Sequence, residues 1–142
     1  MKFDELQVGQ KFTSKPWKIG EDEIREFAAK YDPQDLHLDE EWAAQGPFGK
    51  IIASGLMTVS IAWSQWINTG IPGKDQLGGI ALNNLQWLKP VFIGDELTTE
   101  ITISELRKTS KSNNAINGLS FEVRNQKGEV VLKFETIGLL AV

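Results

Sequence analysis

The stretch SGLMTVSIAWSQWI, residues 54–67, predicts the helix around which this chain folds. Its apolar side chains occupy almost every face of a helical wheel, a pattern typical of a helix covered by other elements. These side chains are Leu56, Met57, Val59, Ile61, Ala62, Trp63, Trp66 and Ile67. The apolar segment is shorter than the roughly 20 residues of a membrane span and contains hydroxyl and amide side chains. We therefore expect a buried helix at the centre of a domain, and no membrane partner.

Downstream of this helix, the hydrophobic pattern changes from a helical period to a period of two. Apolar and polar residues alternate over residues 97–104, 119–124 and 132–135, which predicts half-buried antiparallel strands. The sequence Asn-Gln-Lys-Gly, residues 125–128, predicts the hairpin turn between the last two strands. The second half of the chain is therefore expected to form an antiparallel sheet.

Three less regular segments flank these elements. Residues 69–79 are rich in glycine and predict a loop, whereas residues 80–87 predict a strand that brings Trp87 into the core. The two tryptophans of the central helix are likewise expected to pack in the core. Residues 12–19 predict an additional edge strand, blunted by Pro16.

Two helices are predicted before the central one. The first begins near Glu21, and its apolar face has the spacing i, i+3, i+4 and i+7. That face consists of Ile24, Phe27, Ala28 and Tyr31. Pro33 should end this helix, because a proline disfavours helical backbone at Asp32 and cannot donate the next hydrogen bond. Asp39 is the predicted N-cap of a short second helix.

The order of these elements indicates the fold class. Helices followed by a run of strands predict an α+β fold in which one antiparallel sheet covers one long helix. The chain has 142 residues, of which 41% are hydrophobic, and this size is typical of one domain. We therefore expect a single domain over residues 1–142.

The composition argues against several classes of function. With 15 Lys and Arg against 19 Asp and Glu, the net charge of -4 is unlike the basic surface that nucleic-acid binding requires. The chain has no cysteine, which excludes disulfides, thiolate metal sites and a cysteine nucleophile. Its first 12 residues are polar and acidic, where a secretory signal peptide is basic and then apolar. We expect a cytoplasmic protein with no nucleic-acid partner.

The single histidine, His37, lies five positions after Asp32. On a continuous helix, two residues five positions apart point about 140° away from each other and could not act together. Because Pro33 breaks the helix, a tight turn can bring the carboxylate and the imidazole to one small volume. Histidine suits proton transfer near neutral pH, and a carboxylate can share that work. A lone histidine beside a turn is more often a surface or packing residue, so the spacing alone leaves the function open.

Three ordered motifs carry a resemblance to a known family. FAAKYDPQDLHLDEEWA, residues 27–43, resembles the hydratase motif of the MaoC-like dehydratases and (R)-specific enoyl-CoA hydratases, whose core reads Gly-Asp-x-Asn-Pro-x-His-x-Asp. FGKIIASGLM, residues 48–57, is similar to the family's entry into its central helix. LKPVFIGDEL, residues 88–97, is similar to its strand connection.

The resemblance implies a hot-dog fold, an antiparallel sheet wrapped around a long central helix. It implies an enzyme that hydrates an enoyl-CoA thioester, or catalyses the reverse dehydration, with no metal and no redox cofactor. Single-hot-dog chains of this family are generally homodimers whose sheets join edge to edge, with active sites between the subunits, so the resemblance implies a homodimer or a higher homo-oligomer. The alternatives are a non-catalytic acyl-thioester-binding protein and an acyl-CoA thioesterase, since other hot-dog families hydrolyse the same substrates.

The resemblance also implies the site residues. Asp32 falls on the family's catalytic aspartate and His37 on its catalytic histidine, so the pair would activate a water molecule. The backbone amide of Gly55, at the start of the central helix, would polarise the thioester carbonyl. Gln34 and Ser60 are further candidates for substrate binding, although the Ser60 hydroxyl could equally bond the carbonyl one helical turn earlier.

The chain departs from the family pattern at four positions. Tyr31, Gln34, Asp35 and Ser54 stand where the family has glycine, asparagine, proline and histidine. Gln34 keeps an amide but extends its reach. Asp35 adds a negative charge close in sequence to the pair and is expected to raise the pKa of Asp32.

Overall fold

Helices precede the long strands along the chain, as the sequence predicts. The computed structural model describes residues 3–110 and 113–142. After a short 3₁₀ turn at Phe3–Glu5, the helices are α1 (Glu21–Tyr31), α2 (Asp35–Leu38), α3 (Glu40–Gln45) and α4 (Gly55–Asn68). The strands are β1 (Lys11–Thr13), β2 (Trp17–Lys18), β3 (Gln76–Trp87), β4 (Glu96–Lys108), β5 (Asn114–Arg124) and β6 (Val130–Ala141).

Five strands pair antiparallel in a sheet of order β1-β4-β5-β6-β3. The short β2 also pairs with β4, nearer the start of β4 than β1 does. β3 follows α4 in the chain but pairs with β6 at the far edge of the sheet. The core lies between α4 and one face of this sheet. The predicted α+β class, an antiparallel sheet packed on a long helix, is confirmed.

Side chains of α4 and of the long strands form one buried cluster. Alternate residues of β4 are buried against α4, because successive side chains of a strand point to opposite faces of the sheet. The buried apolar residues of α4 are Met57, Ile61, Ala62 and Trp66. Phe121 of β5 lies opposite Phe134 of β6, and their rings stack with centroids 4.5 Å apart.

Several predicted boundaries are confirmed. α1 ends at Tyr31, two residues before Pro33. Asp39 caps α3 by accepting a hydrogen bond of 3.0 Å from the backbone N–H of Trp42. The predicted hairpin turn joins β5 to β6, and its Gly128 has a φ of 76°, a backbone region that favours glycine.

Two segments differ from their predictions. The loop predicted over residues 69–79 is too long, since β3 begins at Gln76 and includes Gly78 and Gly79. Bulges interrupt the pairing of β3 with β6, so this strand lacks the period of two that marks a regular strand. Pro16 separates β1 from β2 within the predicted edge strand, because proline has no N–H to donate to a neighbour.

One side of α4 is open, contrary to the prediction that other elements cover every face. Leu56 and Ile67 are exposed, since a single sheet covers only one side of a helix. Trp87, at the end of β3, is 52% exposed, so its predicted place in the core is wrong, whereas Trp66 is buried as predicted. Within residues 3–110 and 113–142, no helix has the length and apolar character needed to cross a membrane.

Replacing Phe121 by alanine should lower the free energy of unfolding by about 3–5 kcal/mol, because removal of a fully buried ring leaves a cavity. Urea denaturation followed by tryptophan fluorescence measures the change, with a lower midpoint at an unchanged slope. Phe48→Ala, at an exposed ring, is the matched control and should cost less than about 1 kcal/mol. Equal losses in the two variants would contradict this assignment of the core.

Candidate active site

Asp32 ends α1 and begins the turn that builds the site. Its backbone N–H donates to the carbonyl of Ala28, while its own φ of -155° lies outside the helical region. Pro33 imposes this conformation, because helical backbone at the preceding residue would clash with the proline ring. The chain then forms α2, a single helical turn that the sequence analysis did not predict and that carries His37.

His37 is held inside the protein by a backbone carbonyl. Only 3% of its surface is exposed, and its Nδ1 lies 2.7 Å from the carbonyl oxygen of Ile52. A carbonyl can only accept, so Nδ1 carries a proton and donates it to this bond. The segment that supplies the carbonyl is itself fixed, since the N–H of Ala53 donates to the carbonyl of Val91 at 2.8 Å.

The carboxylate of Asp32 accepts from three neighbouring side chains. Its Oδ2 lies 3.1 Å from Nε2 of His37 and accepts a hydrogen bond of 2.7 Å from the hydroxyl of Ser54. Its Oδ1 accepts a hydrogen bond of 2.6 Å from the side-chain amide of Gln34. The structure therefore brings together Asp32 and His37, the two residues singled out by the sequence.

The contact between Asp32 and His37 is a hydrogen bond when one proton lies between the two groups. Since Nδ1 donates to Ile52, an unprotonated Nε2 would direct its lone pair at a carboxylate oxygen. One shared proton removes this repulsion, and when it resides on Nε2 the pair is an imidazolium and a carboxylate. The pair then contains one group able to accept a proton and one able to donate a proton, which is what general acid–base chemistry needs.

The surroundings of Asp32 lower its pKa. Partial burial by itself raises that pKa, but hydrogen bonds from Ser54 and Gln34, together with the charge of His37 and its hydrogen bond, outweigh the effect of burial. The net shift is opposite to the increase in the pKa of Asp32 that was predicted from Asp35. Asp35 is exposed at the start of α2, and it is not among the main causes of the shift.

A cavity of about 410 Å³ opens beside the pair, a volume suited to a small-molecule ligand. Asp32, Gln34 and His37 line this cavity together with Gly55 and Trp87, and most of its wall is apolar. A side chain at Gly55 would overlap the indole ring of Trp87, so only glycine lets this wall close without a shift. The cavity therefore contains the predicted pair, Asp32 and His37. It also contains Gly55, which was predicted to polarise the carbonyl, and Gln34, which was predicted to bind substrate.

The first backbone amides of α4 lie at the same cavity. Gly55 and Leu56 both line it, and among the described residues no group accepts a hydrogen bond from either N–H. Free N–H groups at a helix N-terminus carry partial positive charge and favour a negatively charged oxygen. The arrangement therefore combines a proton-transfer pair with a place for a developing oxyanion.

Comparison with known proteins decides the family. The model of the family described as MaoC like domain matches residues 4–124, most of the chain. The chain belongs to the MaoC-like domain family. The sequence resemblance is therefore confirmed at the level of the family.

Relatives of this MaoC-like chain agree with that assignment. It is 42% identical over 113 residues to the uncharacterised protein YdeM of Bacillus subtilis, covering 80% of this chain and 79% of the relative. It is 36% identical over 110 residues to an (R)-specific enoyl-CoA hydratase of Aeromonas caviae, covering 76% and 78%. The solved structure of the (R)-hydratase from A. caviae aligns with a TM-score of 0.77 and 31% identity, covering 93% of this chain and 95% of that one. The predicted hot-dog fold is confirmed.

The third motif of this MaoC-like chain serves the fold of the cavity wall. The buried Asp95 accepts a hydrogen bond of 2.9 Å from the backbone N–H of Phe92 and another of 2.9 Å from the side-chain amide of Gln126. The preceding Gly94 has a φ of 88° and donates its N–H to the carbonyl of Ile19. These bonds tie the loop before β4 to the β5–β6 hairpin and to the segment before α1.

Three residues have positions that the sequence did not predict. Ser60 does not line the cavity, and its hydroxyl donates to the carbonyl of Leu56 at 3.0 Å, so its substrate-binding role stays a prediction. Ser54 and Trp87 were not predicted as site residues, although both lie at the site. The signal for Ser54 was its position directly before the first residue of the helix. Within residues 3–110 and 113–142, no three His, Asp or Glu side chains are grouped to hold a metal ion.

The lowered pKa of Asp32 predicts how its contribution to stability depends on pH. A carboxylate with a lowered pKa stabilises the folded state above its unfolded pKa, about 3.9, and loses that contribution as the pH falls through the folded value. The free energy of unfolding of the wild type, minus that of Asp32→Asn, should therefore be larger at pH 7 than at pH 3. Urea denaturation of both proteins at both pH values measures this difference. A difference that stays constant with pH would contradict the lowered pKa.

Proposed function

We propose that this MaoC-like chain is a hydratase or dehydratase of acyl thioesters that acts on an enoyl-CoA. The observation that carries the proposal is the contact of 3.1 Å between the partly buried Asp32 and the buried His37, at a cavity beside free helix amides. The relative from A. caviae, named an (R)-specific enoyl-CoA hydratase, supports the same class of reaction. Only proton transfer and water addition are required, so the proposal assigns no redox cofactor and no metal.

Asp32 is the base in the hydration direction. Its carboxylate accepts a proton from a water molecule while the water oxygen bonds to the β-carbon of the enoyl thioester. The electron pair of the carbon–carbon double bond then moves towards the thioester carbonyl and gives an enolate. A lowered pKa keeps Asp32 ionised near neutral pH, as its role as base requires. Gln34, bonded to the other carboxylate oxygen, holds Asp32 and lines the cavity.

The first amides of α4 stabilise the enolate. The N–H groups of Gly55 and Leu56 have no acceptor among the described residues and lie at the cavity. Donors that are already in place where negative charge develops stabilise the transition state without reorganisation of solvent. The absence of a side chain at residue 55 lets the indole ring of Trp87 pack directly against this end of α4 at the cavity.

His37 is the acid that completes the addition. Its Nε2 gives the shared proton to the α-carbon of the enolate, which leaves a neutral imidazole and a protonated Asp32. The proton taken from water then passes from Asp32 to Nε2 across their 3.1 Å contact and restores the starting pair. Water has been added, no electrons have been gained or lost, and dehydration is the same path in reverse.

Crotonyl-CoA tests the proposed reaction. Enoyl absorbance should fall without release of free thiol, as hydration requires. Asp32→Asn and His37→Ala should each lower the rate by at least about 100-fold, because proton transfer by a positioned group typically contributes 10²–10⁴. Circular dichroism should show that both variants remain folded.

Asp35→Asn is the matched control for this experiment. It removes the same charge three residues from Asp32, at an exposed position that does not line the cavity, and should leave the rate near that of the wild type. Release of thiol would identify a thioesterase, and binding without reaction would identify an acyl-thioester-binding protein. Full activity in both Asp32→Asn and His37→Ala would show that the site assignment is wrong.

We also propose that two copies of the chain pair through β3. Among the described residues, β3 pairs with β6 on one side and has no strand on the other. Leu77, Ile80 and Leu82 of β3 are each more than half exposed, and a long apolar edge strand is usually covered in a native protein. A second, largely apolar cavity of about 520 Å³ between α4 and β3 extends this surface. A second copy would cover both features and join the two sheets edge to edge.

Light scattering coupled to size-exclusion chromatography measures the assembly. The molar mass measured for the wild type should be twice the chain mass of 15.8 kDa. Leu82→Arg should shift the population to the monomer, because a charge at the covered edge would be buried without a partner. Val8→Arg, at an exposed position outside the strands, should remain dimeric. A wild-type protein that is monomeric at micromolar concentration would overturn this assembly.

A further inference from the structure

Ser54 occupies the N-cap of α4 but does not cap the helix. A serine at this position usually accepts a hydrogen bond from one of the first backbone amides of its helix. Here the hydroxyl makes no such bond. It donates instead to Oδ2 of Asp32 at 2.7 Å, and the residue is completely buried.

The bond from Ser54 joins two elements that are distant in sequence. Asp32 follows α1, whereas Ser54 belongs to the start of α4, 22 residues later. His37 of α2 contacts the same carboxylate oxygen, and Gln34 bonds the other one. Donors from separate elements fix the rotation of the carboxylate, which a single contact with His37 would leave free.

The direction of this hydroxyl has a second consequence. Because Ser54 does not accept from the helix, the N–H of Leu56, a usual partner of an N-cap side chain, has no side-chain partner among the described residues. A hydroxyl also donates without carrying a charge, so it adds no titratable group to the pair. His37 is the charged residue that acts on Asp32 through space.

We propose that Ser54 is a positioning residue of the hydration site, which holds the Asp32 carboxylate against His37 and leaves the N–H of Leu56 free for the substrate carbonyl. This inference rests on the proposed hydratase function. Ser54 touches neither water nor thioester in this scheme and acts through Asp32. Loss of its hydroxyl should therefore change turnover more than substrate binding.

Ser54→Ala tests the proposal in the hydration of crotonyl-CoA. The value of kcat should fall by about 10- to 100-fold with a small change in KM, the range expected for a lost hydrogen bond to a charged group. Ser54→Thr, which keeps the hydroxyl, should recover most of the rate. Ser64→Ala, a serine-to-alanine change on the same helix outside the cavity, should match the wild type.

Two further readouts separate positioning from a purely structural effect. The acid limb of the kcat/KM profile should move to higher pH in Ser54→Ala, because removal of a donor to the charged carboxylate raises the pKa of Asp32. In a double-mutant cycle, Ser54→Ala should have little further effect on the rate of Asp32→Asn, since a residue that acts through Asp32 has nothing left to position.

The outcomes distinguish this inference from the function on which it rests. An active wild type with an equally active Ser54→Ala variant would overturn the role of Ser54. Equal losses with and without Asp32, at an unchanged pH profile, would also overturn it. An inactive wild type would overturn the hydratase function instead. NMR titration of the Asp32 carboxyl then tests the bond: a higher pKa in Ser54→Ala supports it, and an unchanged pKa refutes it.

Discussion

Burial of α4 against the sheet is the constraint on which both the fold and the site depend. The helix packs its buried side chains on β4, β5 and β6, and this contact sets where its first residues lie. Ser54 and Gly55 stand at that end, so packing in the core delivers a hydroxyl donor and free amides to the cavity. The same helix therefore provides apolar side chains to the core and partly positive amides to the site.

The second constraint on the site is the end of the helix that Pro33 imposes. It converts a separation of five residues, unfavourable on a helix, into a contact of 3.1 Å between Asp32 and His37. The carbonyl of Ile52 then fixes which nitrogen of His37 faces Asp32. A local backbone restriction and a distant backbone acceptor together place Nε2 of His37 against the carboxylate of Asp32, and neither would do so alone.

The sequence predicted most of the secondary structure because the deciding signals are local. Alternation marked the core of β4, Pro33 marked the end of α1, and Asp39 marked the start of α3. The signals failed where tertiary pairing overrides local preference. β3 includes glycines that are typical of loops, because pairing with β6 and bulges stabilise it as a strand. Asp35 was expected to act on Asp32 but is exposed to solvent.

By itself, the sequence determined the fold class and the family motifs, since residue type, period and the restriction before proline are local properties. Its resemblance to the family predicted Asp32, His37 and Gly55 as site residues. Only the tertiary structure decided how these groups are connected. The bonds from Ser54 to Asp32 and from His37 to the Ile52 carbonyl span 22 and 15 residues. Such contacts depend on how α1, α2 and α4 pack together, and no local pattern in the sequence determines that packing.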